Sequence, residues 1–172
     1  MTGLCCVDAN VFVYARDPRD PAKQQRATAW LDHLWGWQRG RTSFQVLVES
    51  YVTLKRLGGE TPSELWDSVA KYFAWSPHPV DEALLRRARE IEQRWRISWW
   101  DSMVVAAAQL QDCAVLLTED LQDGGVFGTV TVRRPFTMSV EEPATAYAVA
   151  PKAVSRHRPR GRPRTRPQPS PA

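Results

Sequence analysis

The segment Ile97–Gly124, ISWWDSMVVAAAQLQDCAVLLTEDLQDG, joins a helix pattern to a strand pattern and carries acids in both. Ser98 precedes a run that is apolar at helical spacing, and Ala114–Leu117 is a short apolar run typical of a buried strand. Asp101 lies near the start of the first run, and Asp120 follows the second. Carboxylates beside core-forming segments are costly unless something neutralises them. These acids are therefore either ordinary cap and turn residues or ligands of a cation.

The rest of the chain alternates strand and helix patterns in the same way. Leu4–Val7 predicts a buried strand ending in a polar turn at Asp8, and Thr129–Val132 alternates like a last, edge strand. Cap signals and apolar spacing predict four further helices, over about 21–36, 44–57, 62–73 and 81–95. Strands separated by helices indicate the α/β class, with a parallel sheet between two layers of helices. Ligands of such folds bind beyond the carboxyl ends of strands, where Asp8 and Asp120 both fall.

Two apolar groups are expected to pack inward. The helix over 44–57 has one apolar face, formed by Phe44, Leu47, Val48, Tyr51 and Leu54. The pair Trp99–Trp100 is assigned to core packing in preference to base stacking.

The charge of the 172-residue chain is unevenly distributed. The net charge is +4, yet the residues from Pro151 onward include seven basic residues and no acids, so residues 1–150 carry 16 basic against 19 acidic residues. A Pro/Arg-rich composition of this kind predicts disorder. We therefore predict one globular domain over residues 1–140 and a basic, disordered tail over residues 141–172.

Cysteine usage and hydropathy give the expected compartment. Cys5, Cys6 and Cys113 lie in or beside apolar runs and are expected to be small buried hydrophobes, not a disulfide framework. The N-terminus lacks the pattern of a signal peptide, and no apolar segment approaches the ~20 residues that span a bilayer. The expectation is a cytoplasmic protein with no membrane partner.

Each acid has an ordinary structural interpretation when it is taken singly. These are an Asx turn for Asp8, a solvated helix position for Glu49, a first-turn acid capped by Ser98 for Asp101, and a loop position for Asp120. For Asp101 the capping interpretation is the strongest, because Ser98-Trp99-Trp100-Asp101 fits the S-x-x-[DE] pattern.

Taken together, the acids favour a cation site. Asp101 and Glu49 both have apolar residues on their own helical face, so we expect both to be partly buried. Converging carboxylates repel, and a hard cation such as Mg²⁺, which prefers oxygen ligands, relieves the repulsion. Such a site without a Gly-rich phosphate loop indicates metal-assisted phosphodiester hydrolysis. The histidines are scattered, and no cysteine or histidine motif supports a zinc site or a nucleophilic triad.

Four stretches of the sequence, in this order and spacing, resemble the PIN domain family, and specifically the VapC-type toxin ribonucleases of bacterial toxin–antitoxin pairs. The stretches are CVDANVFVYA, TSFQVLVESYVTL, ISWWDSMVVAAA and LLTEDLQDG. The resemblance implies a three-layer α/β/α sandwich with a short central parallel sheet. It also implies Mg²⁺- or Mn²⁺-dependent cleavage of single-stranded or looped RNA. VapC-type proteins dimerise and are silenced by a small VapB-type antitoxin that inserts into the acidic cleft.

The resemblance also assigns roles to individual residues. Asp8, Glu49, Asp101 and Asp120 correspond to the catalytic acidic quartet, and three of them, Asp8, Asp101 and Asp120, to the metal ligands. Asn10 and Thr118 correspond to polar residues that support the first and fourth acids. In the T-x-D pattern the fourth acid is Asp120 and not Glu119, and Asp123 is a candidate for the outer shell.

The basic tail departs from the family pattern. Within it, Pro159–Pro163 is similar to the core of an AT-hook, whose arginines enter the minor groove of DNA, but such a match arises easily in an Arg/Pro-rich stretch. The interpretation as a generic polybasic tail, or as a tail without function, is preferred to that of an AT-hook. Arg160, Arg162 and Arg164 are the candidate nucleic-acid contacts, and DNA would be reached only through this tail or through the antitoxin complex.

The leading hypothesis is a Mg²⁺-dependent endoribonuclease that acts as the toxin of a toxin–antitoxin pair. One alternative is a PIN-type nuclease that processes RNA without toxicity. The other is a non-catalytic module that binds nucleic acid through its basic tail.

Overall fold

The computed structural model describes residues 3–137, which form a central sheet of five strands. The strands are β1 (Leu4–Val7), β2 (Gly40–Arg41), β3 (Cys113–Leu117), β4 (Val126–Phe127) and β5 (Val130–Arg133). Their order across the sheet is β2-β1-β3-β5-β4. The first four strands in that order are parallel, and β4 pairs antiparallel with β5. The carboxyl ends of β1 and β3 are therefore neighbours at one edge of the sheet.

Six α-helices and one short 3₁₀-helix connect and cover the strands. The helices are α1 (Ala9–Tyr14), α2 (Pro21–Gly36), α3 (Phe44–Leu57), α4 (Pro62–Ala70), α5 (Glu82–Trp95) and α6 (Trp99–Leu110), with the 3₁₀-helix over Lys71–Trp75. Helix α6 packs against α5, β1, β3 and β5, whereas α1 packs against α2 and α3, and α3 against α4. These contacts confirm the predicted α/β sandwich.

The helices are held on the sheet by a core to which the strands and the inner faces of the helices both contribute. Cys5, Cys6 and Cys113 are buried and free, as expected of small hydrophobes. The middle of α6, from Ser102 to Ala108, is buried throughout, so this helix is fixed firmly on the sheet. Among residues 3–137, no helix is long and apolar enough to cross a membrane.

The C-terminal end of the described chain is bound to α2. The Trp30 indole N–H donates to the backbone oxygen of Pro135 at 3.0 Å. The Lys23 ammonium lies 4.9 Å from the centroid of the Phe136 ring and 4.1 Å from that of Tyr14. The predicted disordered tail over residues 141–172 lies outside the described residues, as do its arginines.

Several predicted elements need correction. The polar turn at Asp8 is in fact the start of α1, a six-residue helix that the sequence analysis missed. The two-residue strands β2 and β4 were also missed, so β5 is flanked by β3 and β4 and is not the edge strand. The third predicted helix ends at Ala70, and the 3₁₀-helix follows it.

Two predictions of core packing were wrong in part. In α3, Phe44 and Val48 are exposed, and the buried residues include Gln45 and Ser50, because α3 packs against α1 and α4 with a different side of the helix. The exposed Phe44 instead contacts Phe73 of the 3₁₀-helix, with their ring centroids 5.7 Å apart. Of the tryptophan pair, Trp99 packs on the core, but Trp100 is 64% exposed.

Candidate metal centre

Asp8 ends β1 and begins α1, and both of its carboxylate oxygens are bound. The Ala9 backbone N–H donates to Oδ1 at 2.7 Å, which caps α1. The Thr118 hydroxyl donates to Oδ2 at 2.7 Å from the end of β3. The side chain is buried, with 7% of its surface exposed. The end of the first strand therefore presents a carboxylate in a fixed orientation.

One amide joins Asp8 to Asp120. Asn10 Nδ2 lies 3.3 Å from Asp8 Oδ2, 3.0 Å from Thr118 Oγ1 and 3.0 Å from Asp120 Oδ2. The Asp120 backbone N–H also donates to Thr118 Oγ1 at 3.1 Å. Asn10 and Thr118 thus lie between the first and fourth acids, and the structure brings all four residues together.

The buried position of Asp8 changes its acidity. Desolvation raises the pKa of Asp8 from 3.8 to about 7, against the lowering effect of the Thr118 and Ala9 hydrogen bonds. This rise includes the effect of the negative charges of Asp120 and Glu49. Among the residues that act on Asp8, carboxylates supply charge of one sign and no cation opposes them.

Glu49 faces the same acids from α3. Partial desolvation raises the pKa of Glu49, and the charges of Asp120 and Asp101 add to the effect. The residue as a whole is exposed and its carboxylate is only partly desolvated, because α3 packs against α1 and α4 and leaves this side of the helix open. No ion pair with Lys55 or Arg56 forms among the described residues.

Asp101 is held by the helix cap that the sequence predicts. The Ser98 hydroxyl accepts from the Asp101 backbone N–H at 3.1 Å and donates to Asp101 Oδ2 at 2.7 Å. Capping and presentation of the carboxylate are therefore compatible, since the same hydroxyl makes both contacts. Asp101 is half-buried, as expected.

Two nearby acids make contacts of another kind. Glu119 Oε2 accepts from the Lys23 ammonium at 2.6 Å, so its charge is already neutralised. Asp123 Oδ1 accepts from the backbone N–H of Arg134 at 2.9 Å, and its other oxygen lies 4.0 Å from the guanidinium of Arg133. These contacts tie Asp123 to the end of β5, and its role in an outer shell stays a prediction.

The donor set fits a hard cation, although the acids are spaced loosely. Within residues 3–137, no three Asp, Glu, His or Cys side chains lie close enough together to enclose a metal ion directly. Mg²⁺ typically binds one or two carboxylates and keeps several waters, so a loose set of oxygen donors suits it. Burial is the largest cause of the raised pKa of Asp8 and Glu49, and neighbouring carboxylates add to it; a divalent cation would favour the charged form of both groups.

One cavity in the described part of the fold lies elsewhere. It opens between α1, α2, α3 and α4 and is lined by Phe12, Leu47 and Tyr72, among others, with none of the four acids in its wall. The acids instead form an open, polar edge, as suits an extended substrate more than an enclosed small molecule.

Comparison with known proteins identifies the family. The family profile of the PIN domain matches residues 5–122 of the chain, and the chain therefore belongs to the PIN domain family. The predicted resemblance to this family is confirmed, and PIN domain proteins are nucleases.

One solved structure with the same fold is that of VapC20 from Mycobacterium tuberculosis, a toxin that cleaves the sarcin–ricin loop. It superposes with a TM-score of 0.51 at 19% sequence identity, over 65% of this chain and 86% of that one. No curated protein matches the chain.

Proposed function

We propose that this chain is a divalent-metal-dependent endoribonuclease and the toxin of a toxin–antitoxin pair. The observation that carries the proposal is the convergence of four acids. Asp8 and Asp120 share one amide donor, and the charges of Asp101 and Asp120 both act on Glu49. Membership of a nuclease family gives this arrangement its chemical meaning.

Asp8, Asp101 and Asp120 would hold the ion, with Mg²⁺ favoured and Mn²⁺ also suited to oxygen donors. When bound, a divalent ion activates a water for attack on phosphorus and stabilises the charge on the leaving oxygen. The chain's own residues orient the site. Asn10 and Thr118 fix the carboxylates of Asp8 and Asp120, and Ser98 fixes that of Asp101.

Glu49 has a different position from the three proposed ligands. It stands on α3, and partial burial together with the charges of Asp120 and Asp101 raises its pKa above the usual range of a glutamate, which makes it a better proton acceptor than an exposed carboxylate. We assign Glu49 the fourth catalytic role, in which it orients or deprotonates the attacking water.

The proposed partners follow from the same family. RNA is the proposed substrate, and the fold shared with the VapC20 toxin supports it. A VapB-type antitoxin, a homodimer and a cytoplasmic location are proposed on the resemblance to VapC-type proteins. Arg160, Arg162 and Arg164 of the tail are proposed as supplementary contacts to nucleic acid.

The test is cleavage of RNA by the purified chain with Mg²⁺, compared with EDTA and with the Asp120→Asn variant. We expect cleavage to fall by at least ~100-fold in both cases, the scale on which groups that stabilise developing charge act. Glu119→Gln is the matched control, since this neighbouring acid is paired with Lys23 and should leave cleavage near the native rate. Equal cleavage by Asp120→Asn would reveal a contaminating nuclease, and absence of cleavage of any RNA would contradict the enzyme.

A second experiment separates the toxin from an RNA-processing enzyme. Expression of the chain without an antitoxin should arrest growth, and expression of the Asp120→Asn variant should not. Unimpaired growth with folded, RNA-cleaving protein would favour the processing enzyme. Binding of RNA without cleavage, retained after loss of the acids and abolished by loss of the tail cations, would favour the binding module.

A further inference from the structure

Trp100 is exposed without structural need. It is 64% exposed, more than any other large hydrophobic side chain among the described residues, while its neighbour Trp99 packs on the core. Aromatic side chains of this size normally bury most of their surface. The helix is held in place by Trp99 and by the buried residues 102–108, so Trp100 is not required to fix it.

The indole of Trp100 also has no aromatic or cationic neighbour within residues 3–137. Other exposed tryptophans use their ring surfaces inside the protein. Trp66 lies 6.0 Å from Phe73 and 6.3 Å from Tyr51, between ring centroids, and Trp35 lies 5.8 Å from Tyr72. No such ring contact exists for Trp100 in the part of the chain that the structure describes.

The position of Trp100 places it beside the acids. It precedes Asp101 in the first turn of α6, and consecutive Cα atoms lie ~3.8 Å apart. The charge of Asp101 acts on Glu49, which places this end of the helix at the acidic edge of the sheet. The Ser98 cap, which binds Asp101 through two hydrogen bonds, fixes the backbone from which the indole projects.

The charge of the described body favours a ligand with an apolar surface. The body carries nearly balanced charge, with 16 basic and 17 acidic residues up to Thr137, so beyond the proposed cation it offers no excess of positive charge that attracts phosphate. Attraction that does not depend on charge is therefore needed there. A base of single-stranded RNA supplies it, because every base has a flat face that stacks on an aromatic ring.

We infer that Trp100 is a stacking platform for an unpaired base next to the scissile phosphate of the RNA. This assignment rests on the proposed function and deepens it by naming the residue that holds a base beside the cut. Stacking contributes in the same degree at low and high salt, unlike contacts between cations and phosphates. Trp100 is thus a substrate-binding residue, and the catalytic role stays with the four acids.

The test uses full-length protein in an Asp8→Asn background, so that RNA is bound but not cut. Binding of a labelled, unstructured RNA of mixed sequence is measured by fluorescence anisotropy at several salt concentrations with Mg²⁺. We expect Trp100→Ala to weaken binding about 10- to 100-fold by a factor that does not change with salt, and Trp100→Phe to recover most of the loss. Trp66→Ala, at a tryptophan that is 53% exposed but in ring contact, is the matched control and should bind as the parent does.

The outcomes separate this inference from the proposed function. Cleavage by the native chain together with unchanged binding by Trp100→Ala overturns the stacking platform and leaves the nuclease standing. Weakened binding by Trp100→Ala in a chain that cuts no RNA supports the platform and removes the enzyme. If Trp100→Ala changes the sedimentation of the protein but not its affinity for RNA, the indole belongs to a protein interface, and the inference is wrong.

Discussion

At the scale of single residues, the carboxylate of Asp8 serves both the fold and the proposed site. Its Oδ1 caps α1, and its Oδ2 accepts hydrogen bonds from the hydroxyl of Thr118 and the amide of Asn10. A buried group with this many donors is well satisfied, yet its pKa still rises to about 7, because desolvation and two neighbouring acids outweigh the hydrogen bonds. The metal-free protein therefore holds a proton on Asp8 at pH values where an unfolded chain does not.

This proton makes the stability of the metal-free protein depend on pH. Between about pH 4 and pH 7 the folded state binds a proton at Asp8 that the unfolded state has released, so the free energy of unfolding falls as pH rises through that window. A shift from 3.8 to about 7 corresponds to on the order of 4 kcal/mol. We expect urea denaturation in EDTA to show this loss between pH 4 and pH 8.

The Asp8→Asn variant provides the comparison, since it keeps the shape of the side chain and removes its titration. Its free energy of unfolding should change less over the same range, and Mg²⁺ should stabilise the native chain more at pH 8 than at pH 5. Parallel pH profiles for the two proteins would contradict the assigned pKa.

At the scale of elements, α6 shows what local sequence can and cannot predict. Its start and its cap were predicted, because Ser98 and the following apolar run are signals confined to the helix itself. The side of α3 that is buried was not predicted, because it depends on where α1 and α4 pack against it. The helix α1 and the two-residue strands are too short to show a period. The strands β2 and β4 are defined by their pairing with β1 and β5, and α1 is defined by its cap at Asp8.

In the candidate site, too, some features were predicted from the sequence and others were not. Asp8 and Asp120 were predicted to meet because both follow parallel strands, and Asn10 joins them. The exposure of Trp100 was not predicted, since a tryptophan pair next to a helix cap carries no signal of which member faces the core. The pairing of Glu119 with Lys23 likewise depends on a contact between residues far apart in sequence.

Two matched helix caps separate stability from activity. Ser98 and Thr61 both cap a helix and bond to an acid three residues later, Asp101 in α6 and Glu64 in α4. Ser98→Ala and Thr61→Ala should each lower the free energy of unfolding by about 1 kcal/mol in chemical denaturation. Only Ser98→Ala should also lower RNA cleavage, because it releases the Asp101 carboxylate. Equal cleavage by the two variants would show that the orientation of Asp101 is unimportant.

At the scale of the whole molecule, charge is divided between two regions. Residues up to Thr137 are nearly balanced, while all seven cations beyond that point lie between Lys152 and Arg166. We therefore expect the tail cations to attract RNA over distance and the residues of the body to contact it where it is cut. Cations that displace phosphate counterions act with a strength that depends on salt.

Replacement of the seven tail cations by glutamine should weaken binding of RNA most strongly at low salt. For single-stranded RNA, the slope of log affinity against log salt should become shallower by up to ~5 if all seven contact phosphate. Anisotropy titrations of the full-length chain over a range of salt measure this slope. Glutamine at Arg86, Arg87 and Arg89 of α5, which already pair with glutamates, is the control and should leave the slope unchanged. An unaltered slope in the tail variant would mean that the tail makes no phosphate contacts.

Contacts with α2 fix the last residues of the described chain, and therefore the point from which the following residues continue. Trp30 holds Pro135, and the ammonium of Lys23 lies against Phe136 while it binds Glu119, the neighbour of Asp120. The end of the described chain is thus fixed on the acidic side of the molecule. Lys152, 15 residues beyond Thr137, can lie at most ~50 Å from it, whatever path the chain takes. We expect an RNA bound by the cations of residues 152–166 to be held on this side of the molecule, because the contacts of Trp30 and Lys23 fix the point from which that segment continues.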